Sequence, residues 1–319
     1  MQDNHISSAI NVYLENLEFK IAHPDEIRGL PTGLKHFDKR IDGIKPGELI
    51  LIGGRPAMGK TSLAVNIAHS IARYFSDESK VNPADDRSIL YFNLEHSSSE
   101  MMDYFIALNN RFSRYSLKKE FSDPAVQESI QQACVDLAKL PIYFSRKAYD
   151  INEIKEEIQK TSNKKQVGCI IIDCLQLVGR RLYRENYTEF LEQLKDLVLE
   201  LDIPAIVLTQ LTRDVESRSY KMPILSDIRG FNKNQDAVDK IIFIYREHYY
   251  IQWDEPQKKK RETDEHFAKR YEEWQKRCEE TKNECRLIVA KNKTGPFVYE
   301  EVKFFRDNGK YKDCDEYFY

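Results

Sequence analysis

The chain opens with a narrow apolar stripe and then alternates short apolar runs with segments of helical periodicity. Four apolar residues at helical spacing predict an amphipathic helix over residues 6–17. They are Ile6, Ile10, Tyr13 and Leu17. A connector that contains prolines and glycines follows, and the regular pattern begins near residue 29. We therefore expect an N-terminal helical segment, residues 1–22, ahead of a larger domain over residues 23–319.

From residue 48 onward, strand-like and helix-like segments alternate. Short apolar runs predict strands at Glu48–Ile52, Ile89–Phe92, Ile142–Phe144, Cys169–Ile172, Ala205–Leu208 and Lys240–Tyr245. Segments of helical periodicity separate them at residues 61–74, 99–113, 124–139, 151–163 and 188–201. Apolar strands joined by helices are typical of a mostly parallel sheet that helices cover on both faces. The predicted fold class is α/β.

Three segments depart from this alternation. Residues 76–87 are polar, which favours a surface loop. Residues 255–284 are rich in both charges and predict a helical insertion, either a solvated charged helix or a surface that docks protein or DNA. Two apolar runs, residues 286–290 and 298–305, flank a Thr-Gly-Pro turn and predict a C-terminal β-hairpin.

Composition narrows the class of protein. The hydrophobic content of 41% is enough for a large core, and no apolar run has the roughly 18 residues of a membrane span. The N-terminus lacks the features of a signal peptide, so we expect a cytoplasmic protein. Six cysteines without a C-x-x-C pair favour reduced thiols over zinc sites or disulfides. The net charge of −3 means that any nucleic-acid contact must come from local basic loops.

The strongest motif follows the first predicted strand. Residues 54–61 fit the phosphate-loop pattern G-x-x-x-x-G-K-[ST] and open a predicted helix. In such a loop the backbone N–H groups surround the phosphates, the lysine contacts the β and γ phosphates, and the threonine hydroxyl ligates Mg²⁺. We predict that ATP is bound by Gly54, Arg55, Pro56, Ala57, Met58, Gly59, Lys60, Thr61 and Ser62.

Polar residues end three other predicted strands. Asp173 follows the buried run Cys169–Ile172, where a carboxylate can hold Mg²⁺ together with Thr61. Glu95 follows another strand and could activate the attacking water, although the pattern alone leaves a structural role equally open. Gln210 ends a third strand and could sense the γ-phosphate, but the spacing alone leaves a structural role equally open.

Basic residues gather in the loops that follow Asp173 and Gln210. The first loop contains Arg180, Arg181 and Arg184, and the second contains Arg213, Arg218, Arg229 and Lys233. Such loops can follow a phosphodiester backbone. Ordinary solvated loop charge is the alternative interpretation.

Taken in order, these segments resemble the C-terminal motor domain of the DnaB-type replicative DNA helicases. The resemblance covers about residues 29–306. It includes R-P-A-M-G-K-T from Arg55, N-L-E ending at Glu95, I-D-C-L-Q-L around Asp173 (family I-D-Y-L-Q-L), T-Q-L-T-R around Gln210, S-D-I-R ending at Arg229, F-I-Y-R ending at Arg246, and K-N-K-T-G-P from Lys291.

The resemblance implies a RecA-like P-loop NTPase that uses ATP and Mg²⁺. It makes Glu95 the general base, Gln210 the phosphate sensor, and Arg229, Gly230 and Lys233 contacts for single-stranded DNA. It also implies a hexameric ring that travels 5′–3′ during DNA replication. Lys291 and Lys293, on the hairpin, would reach the γ-phosphate of the adjacent subunit, and the helix over residues 6–17 would be the linker helix that docks on that neighbour.

Three departures from the family pattern bear on function. Lys293 stands where the family has an arginine finger and lacks the planar bidentate fork. Residues 229–235 read R-G-F-N-K-N-Q where the family has R-E-S-G-S-I-E. No counterpart of the helical N-terminal collar domain is recognisable, so a primase or loader partner is left open.

Three functions therefore compete. The first is a helicase motor, the second is a DNA-binding ATPase or accessory loader that does not unwind, and the third is a nucleotide-gated assembly module without catalysis. Retention of the phosphate loop, Glu95, Asp173 and Gln210 argues against the third.

Overall fold

One sheet runs through the part of the chain that the structure describes. The computed structural model describes residues 6–24, 26–109, 112–148, 150–179, 187–228 and 235–314. The strands are β1 Leu49–Gly54, β2 Arg87–Asn93, β3 Ile142–Ser145, β4 Gln166–Asp173, β5 Ala205–Gln210, β6 Lys240–Tyr245, β7 Glu284–Asn292, β8 Val298–Phe305 and β9 Lys310–Asp313.

The strand order is β3-β2-β4-β5-β1-β6-β7-β8-β9. Strands β1 to β6 pair in parallel, whereas β6–β7, β7–β8 and β8–β9 pair antiparallel. The predicted α/β class and the predicted hairpin, formed by β7 and β8, are confirmed. Sequence analysis did not predict β9, which is four residues long.

Burial along the strands explains why one part of the sheet is parallel and the other is antiparallel. Every residue of β1 and β6 is buried, and so is β4 after its first residue. A continuous apolar run suits a parallel strand covered on both faces. In β8, buried and half-buried residues alternate, as expected for an antiparallel strand with one face toward solvent.

Helices connect the strands. They are α1 Ile6–Ala22, α2 Lys35–Ile41, α3 Lys60–Val81, α4 Ser98–Asn109, α5 Leu117–Glu120, α6 Pro124–Leu137, α7 Ile151–Ser162, α8 Thr188–Leu201, α9 Asp214–Ser217, α10 Glu247–Ile251 and α11 Asp264–Thr281. Helices α3, α4 and α6 pack in sequence on one another, and α7 packs on α8. Right-handed crossovers place these two groups on opposite faces, because α3 connects β1 to β2 in one direction along the sheet, whereas α8 connects β4 to β5 in the opposite direction.

Two expectations about helix ends were wrong. The loop predicted over residues 76–87 is limited to residues 82–86, because α3 continues to Val81 and β2 begins at Arg87. The last turn of α3 lies at the surface, where Lys80 pairs with Asp77 and Val81 is exposed, so no buried apolar residue marks it as helical. The described part of α4 ends at Asn109, and residues 112–113 are not helical, so the predicted end at residue 113 was too late.

The charged insertion is only partly helical. Residues 252–263 contain no regular secondary structure, and α11 then begins at a Thr263 cap whose side chain accepts from the His266 N–H. Trp274 anchors α11 by donating from its indole to the Ile251 carbonyl of α10, at 2.8 Å. The insertion therefore packs on the element that follows β6.

Helix α1 extends the predicted N-terminal helix by five residues, to Ala22. The apolar side chains of α1 that the structure describes are exposed, with Ile6 at 69% and Tyr13 at 63%. No helix among the described residues combines the length and apolarity needed to cross a bilayer.

Candidate active site

The turn between β1 and α3 has the shape that the glycine pattern requires. Gly59 caps α3 in a left-handed conformation, with φ at 102°. Ala57 is also left-handed, with φ at 60°. Helix α3 begins at Lys60, so its free N–H groups and its positive dipole end face the loop. Residues 54–62 therefore form a cradle suited to a phosphate group.

Lys60 lies inside this cradle. Its ammonium donates to the carbonyls of Gly54 and Arg55, at 3.0 and 3.1 Å. Burial lowers the pKa of Lys60, and the nearby Cys174 and Asp173 partly offset that effect. The two carbonyls hold the positive charge at the position where a phosphate oxygen could replace them.

The two predicted acidic residues lie side by side. Asp173 is the last residue of β4 and pairs with Asn93, the last residue of β2. The N–H groups of Leu94 and Glu95 then donate to the Asp173 carbonyl, at 2.9 and 3.3 Å. The backbone thus fixes Glu95 beside Asp173 at the carboxyl edge of the sheet.

Asp173 is 2% exposed and accepts hydrogen bonds from two hydroxyl groups. One comes from Thr61, next to Lys60, and the other comes from Tyr91, at 3.3 Å. Burial raises the pKa of Asp173, and the Thr61 hydrogen bond opposes that shift. Because the Thr61 hydroxyl and the Asp173 carboxylate are in contact, both hard oxygen donors can reach one ion, which fits Mg²⁺.

Glu95 differs from Asp173 in its exposure. Its side chain is open to solvent, and one of its oxygens lies within 4.8 Å of an Asp173 oxygen. An exposed carboxylate beside a buried one can reach a water molecule that the buried one cannot.

Gln210 ends β5, where it pairs with Gly54 of the phosphate loop. Its N–H donates to the side-chain oxygen of Gln176 at 3.1 Å, and the Gln176 amide donates to the Thr209 hydroxyl at 2.8 Å. Gln176 lies in the turn just after Asp173. The ends of β4 and β5 are therefore joined by one amide side chain.

Comparison with known proteins decides the family. The model of the DnaB-like helicase C terminal domain matches residues 29–313. The chain belongs to this family. It is 29% identical over 308 residues to a protein of Rickettsia bellii named replicative DNA helicase DnaB, which covers 95% of this chain and 61% of that protein. The protein of the same name from Helicobacter pylori is 31% identical over 305 residues, covering 90% of this chain and 60% of that protein.

The chain spans about three fifths of the length of these relatives. Among solved structures, an isolated ATPase domain matches with a TM-score of 0.77 and 25% identity, covering 98% of this chain and all of that domain. A DnaB-like replicative helicase matches with a TM-score of 0.74 and 24% identity, covering 99% of this chain and 68% of that chain. The fold of this DnaB-like domain is therefore RecA-like, and membership of this family implies that the domain uses a nucleotide.

Lys293 lies far from the phosphate loop of its own DnaB-like domain. It pairs with Asp239 at 3.2 Å, and its ammonium also donates to the Asp236 carbonyl. Asp239 in turn accepts from the N–H of Leu49, the first residue of β1. The phosphate loop follows the opposite end of β1. Because β1 has six residues, its two ends are about 20 Å apart. Lys291 lies on β7, two residues before Lys293, and is half-buried.

Arg55 links the phosphate loop to the segment that follows β5. Its guanidinium donates to the Glu216 carboxylate at 2.8 Å and to the Leu211 carbonyl at 2.7 Å. Two residues after Glu216, Arg218 pairs with the buried Asp227 at 2.6 Å. Arg218, one of the predicted basic loop residues, is therefore held inside the DnaB-like domain.

Sequence analysis did not anticipate the contribution of β8 and β9. The Tyr311 hydroxyl donates to the Gly59 carbonyl at 3.2 Å, and Phe304 packs beside it with the ring centroids 4.5 Å apart. The Arg246 guanidinium lies over the Phe304 ring, 4.7 Å from the centroid. These residues support the phosphate loop from one side, and no local motif marks a partner this distant in sequence.

The predicted DNA contacts lie outside the described residues. They are Arg180, Arg181, Arg184, Arg229, Gly230 and Lys233. The described chain stops at Gly179 before the first of these segments and at Ile228 before the second. Both predicted DNA segments therefore follow from β4 and β5, the strands that carry Asp173 and Gln210.

Proposed function

We propose that this chain is the ATP-driven motor of a replicative DNA helicase, which moves along single-stranded DNA and separates the duplex during DNA replication. One observation carries the proposal. Lys60, Thr61, Glu95 and Asp173 meet at one edge of the sheet in a member of the DnaB-like helicase family. We place the protein in the cytoplasm.

ATP with Mg²⁺ is the proposed cofactor pair. The N–H groups of the loop and the Lys60 ammonium bind the β and γ phosphates. The Thr61 hydroxyl and the Asp173 carboxylate hold Mg²⁺, which supplies charge neutralisation for the phosphates. Glu95 orients a water and accepts its proton, since it is the exposed carboxylate of the pair. Gln210 senses the γ-phosphate from the end of the strand that pairs with β1.

We further propose a hexameric ring with shared active sites. Lys293 and Lys291 lie at the end of the sheet opposite to their own phosphate loop, so a neighbouring subunit is the partner that they can serve. Such a head-to-tail contact closes into a ring by symmetry. The exposed apolar residues of α1 suit a linker helix that docks on the next subunit.

Single-stranded DNA is the proposed track, in the 5′–3′ direction that the family resemblance implies. Arg180, Arg181, Arg184, Arg229, Gly230 and Lys233 would bind its phosphates, since they follow the strands that carry Asp173 and Gln210. A primase or a loader is a candidate partner for the ring.

A second candidate is a DNA-binding ATPase or accessory loader that does not unwind DNA. Lys293 favours it, because an ammonium stabilises a transferring phosphoryl group less well than a guanidinium does. ATP hydrolysis with and without single-stranded DNA, followed by strand separation on a forked duplex, tells the two apart.

Stimulation together with unwinding supports the helicase, and stimulation alone supports the second candidate. A Lys60→Ala variant should be inactive in both assays. If single-stranded DNA leaves the hydrolysis rate of an oligomeric preparation unchanged, both proposals fail.

A further inference from the structure

A thiol lies beside the two carboxylates of the active site. The Cys174 sulfur is 3.9 Å from a Glu95 oxygen. One ligand atom each from Glu95, Asp173 and Cys174 lies within 4.8 Å of the other two. No other group of three such side chains comes this close in the part of the chain that the structure describes.

The backbone holds the three groups together. Cys174 follows Asp173 directly, and the Asp173 carbonyl accepts from the N–H groups of Leu94 and Glu95. Cys174 is 1% exposed and Asp173 is 2% exposed, whereas Glu95 is open to solvent. An ion can therefore approach from the side of Glu95, and the Glu95 side chain is the one that is free to close on it.

The ligand set differs from the one that Mg²⁺ prefers. Mg²⁺ favours oxygen ligands in octahedral geometry, whereas a sulfur ligand with two carboxylates suits Zn²⁺ or Cd²⁺. Typical Zn–S and Zn–O bonds place the sulfur and oxygen about 3.6 Å apart in a tetrahedral site. The 3.9 Å separation between Cys174 and Glu95 is close to that value.

The charges also balance. With the thiolate formed, the three ligands carry three negative charges, and the Lys60 ammonium beside them offsets one. One divalent ion compensates the remainder, which is the condition for burying such a cluster. The thiol proton leaves to solvent as the sulfur–metal bond forms.

We propose that Glu95, Asp173 and Cys174 form a binding site for a thiophilic divalent cation of the Zn²⁺ or Cd²⁺ class. Water would complete the tetrahedron. Occupancy should stop ATP turnover, because the ion engages both Glu95 and Asp173. The inhibition rests on the proposed ATPase function, whereas the binding does not.

The test of binding uses Cd²⁺ and the whole chain without nucleotide. The ultraviolet charge-transfer absorption of a cadmium thiolate reports the bond directly. The wild type should bind, and Cys174→Ser and Cys174→Ala should each weaken binding by about tenfold or more. Glu95→Gln should weaken it as well. Cys134→Ser is the matched control, because Cys134 is exposed on α6 and should leave this site intact.

The test of inhibition adds Zn²⁺ to hydrolysis assays that contain Mg²⁺, with each variant compared with its own rate without Zn²⁺. Wild type and Cys134→Ser should be inhibited at concentrations about tenfold lower than Cys174→Ser. Equal Cd²⁺ binding by the wild type and both folded Cys174 variants would overturn the site. Cys174-dependent binding in a protein that never hydrolyses ATP would support the site and overturn the proposed function instead.

Discussion

Glu95 and Asp173 form one acidic pair whose two members have different surroundings, and we propose Glu95 as the general base. Asp173 is buried under two hydroxyl donors, whereas Glu95 is exposed. Glu95→Gln should therefore bind ATP normally but hydrolyse it about 10²–10⁴ times more slowly, because an amide cannot accept the proton of water. Nucleotide binding and single-turnover hydrolysis, measured on one preparation, separate the two steps. Glu272→Gln on α11 is the control, and normal turnover by Glu95→Gln would place the base elsewhere.

Two glycines of the phosphate loop differ in what an added methyl group would meet. A Cβ at Gly59 would lie 2.5 Å from the Tyr311 hydroxyl, on a residue with φ at 102°. At Gly54 the nearest atom is 3.4 Å away. Gly59→Ala should lower the free energy of unfolding by about 1–2 kcal/mol from backbone strain alone, and Gly54→Ala should lower it less.

Denaturant titration without nucleotide measures this difference. Tyr311→Phe removes the hydroxyl that the methyl group would strike, so the double variant should recover part of the loss. Equal denaturation midpoints for Gly59→Ala and Gly54→Ala would mean that Tyr311 on β9 makes no steric contact with a side chain at Gly59.

At the scale of elements, periodic segments were predictable and short ones were not. Sequence analysis predicted α8 and β6 at their observed bounds, since both carry clear apolar patterns. It missed α2, α5, α9, α10 and β9, which have four to seven residues and take their places from tertiary contacts. Residues of the candidate site were likewise predictable only where a local motif marked them. Motifs located Lys60, Glu95 and Asp173, but nothing local indicated that Tyr311 supports Gly59.

The element-scale link between the phosphate loop and α9 can be measured. The Arg55 side chain is 10% exposed, and it pairs with Glu216 while also binding the Leu211 carbonyl. A double-mutant cycle with Arg55→Ala and Glu216→Ala should give a coupling energy of about 1 kcal/mol in unfolding, because Arg55 is buried while Glu216 is partly exposed to solvent. The exposed pair Lys80–Asp77 on α3 should give a smaller coupling energy, because solvent screens it. Equal coupling energies would show that the burial of Arg55 does not strengthen its pair with Glu216.

At the scale of the whole molecule, the position of Lys293 predicts how subunits cooperate. Lys293→Ala should leave ATP binding intact and reduce hydrolysis by the assembled protein, because Lys293 lies at the far end of the sheet from its own loop. Lys293→Arg should equal or exceed the wild type, since a guanidinium can bridge two phosphate oxygens.

Mixing subunits gives the sharper measurement. Lys293→Ala protomers combined with Lys60→Ala protomers should regain activity, because some interfaces then pair an intact loop with an intact lysine. A mixture that exchanges subunits but stays as inactive as its parents would show that Lys293 does not act on a neighbour.

The contacts of Arg55 extend from the proposed ATP site toward the proposed DNA-binding segment. Arg55 holds Glu216 and Leu211, the Thr212 N–H donates to the Asp227 carbonyl, and Asp227 lies two residues before Arg229. A free-energy coupling through this path is reciprocal. If single-stranded DNA tightens ATP binding by some factor, ATP must tighten DNA binding by the same factor. Removing the Arg55–Glu216 pair should then reduce both factors together, so the protein would bind each ligand without regard to the other.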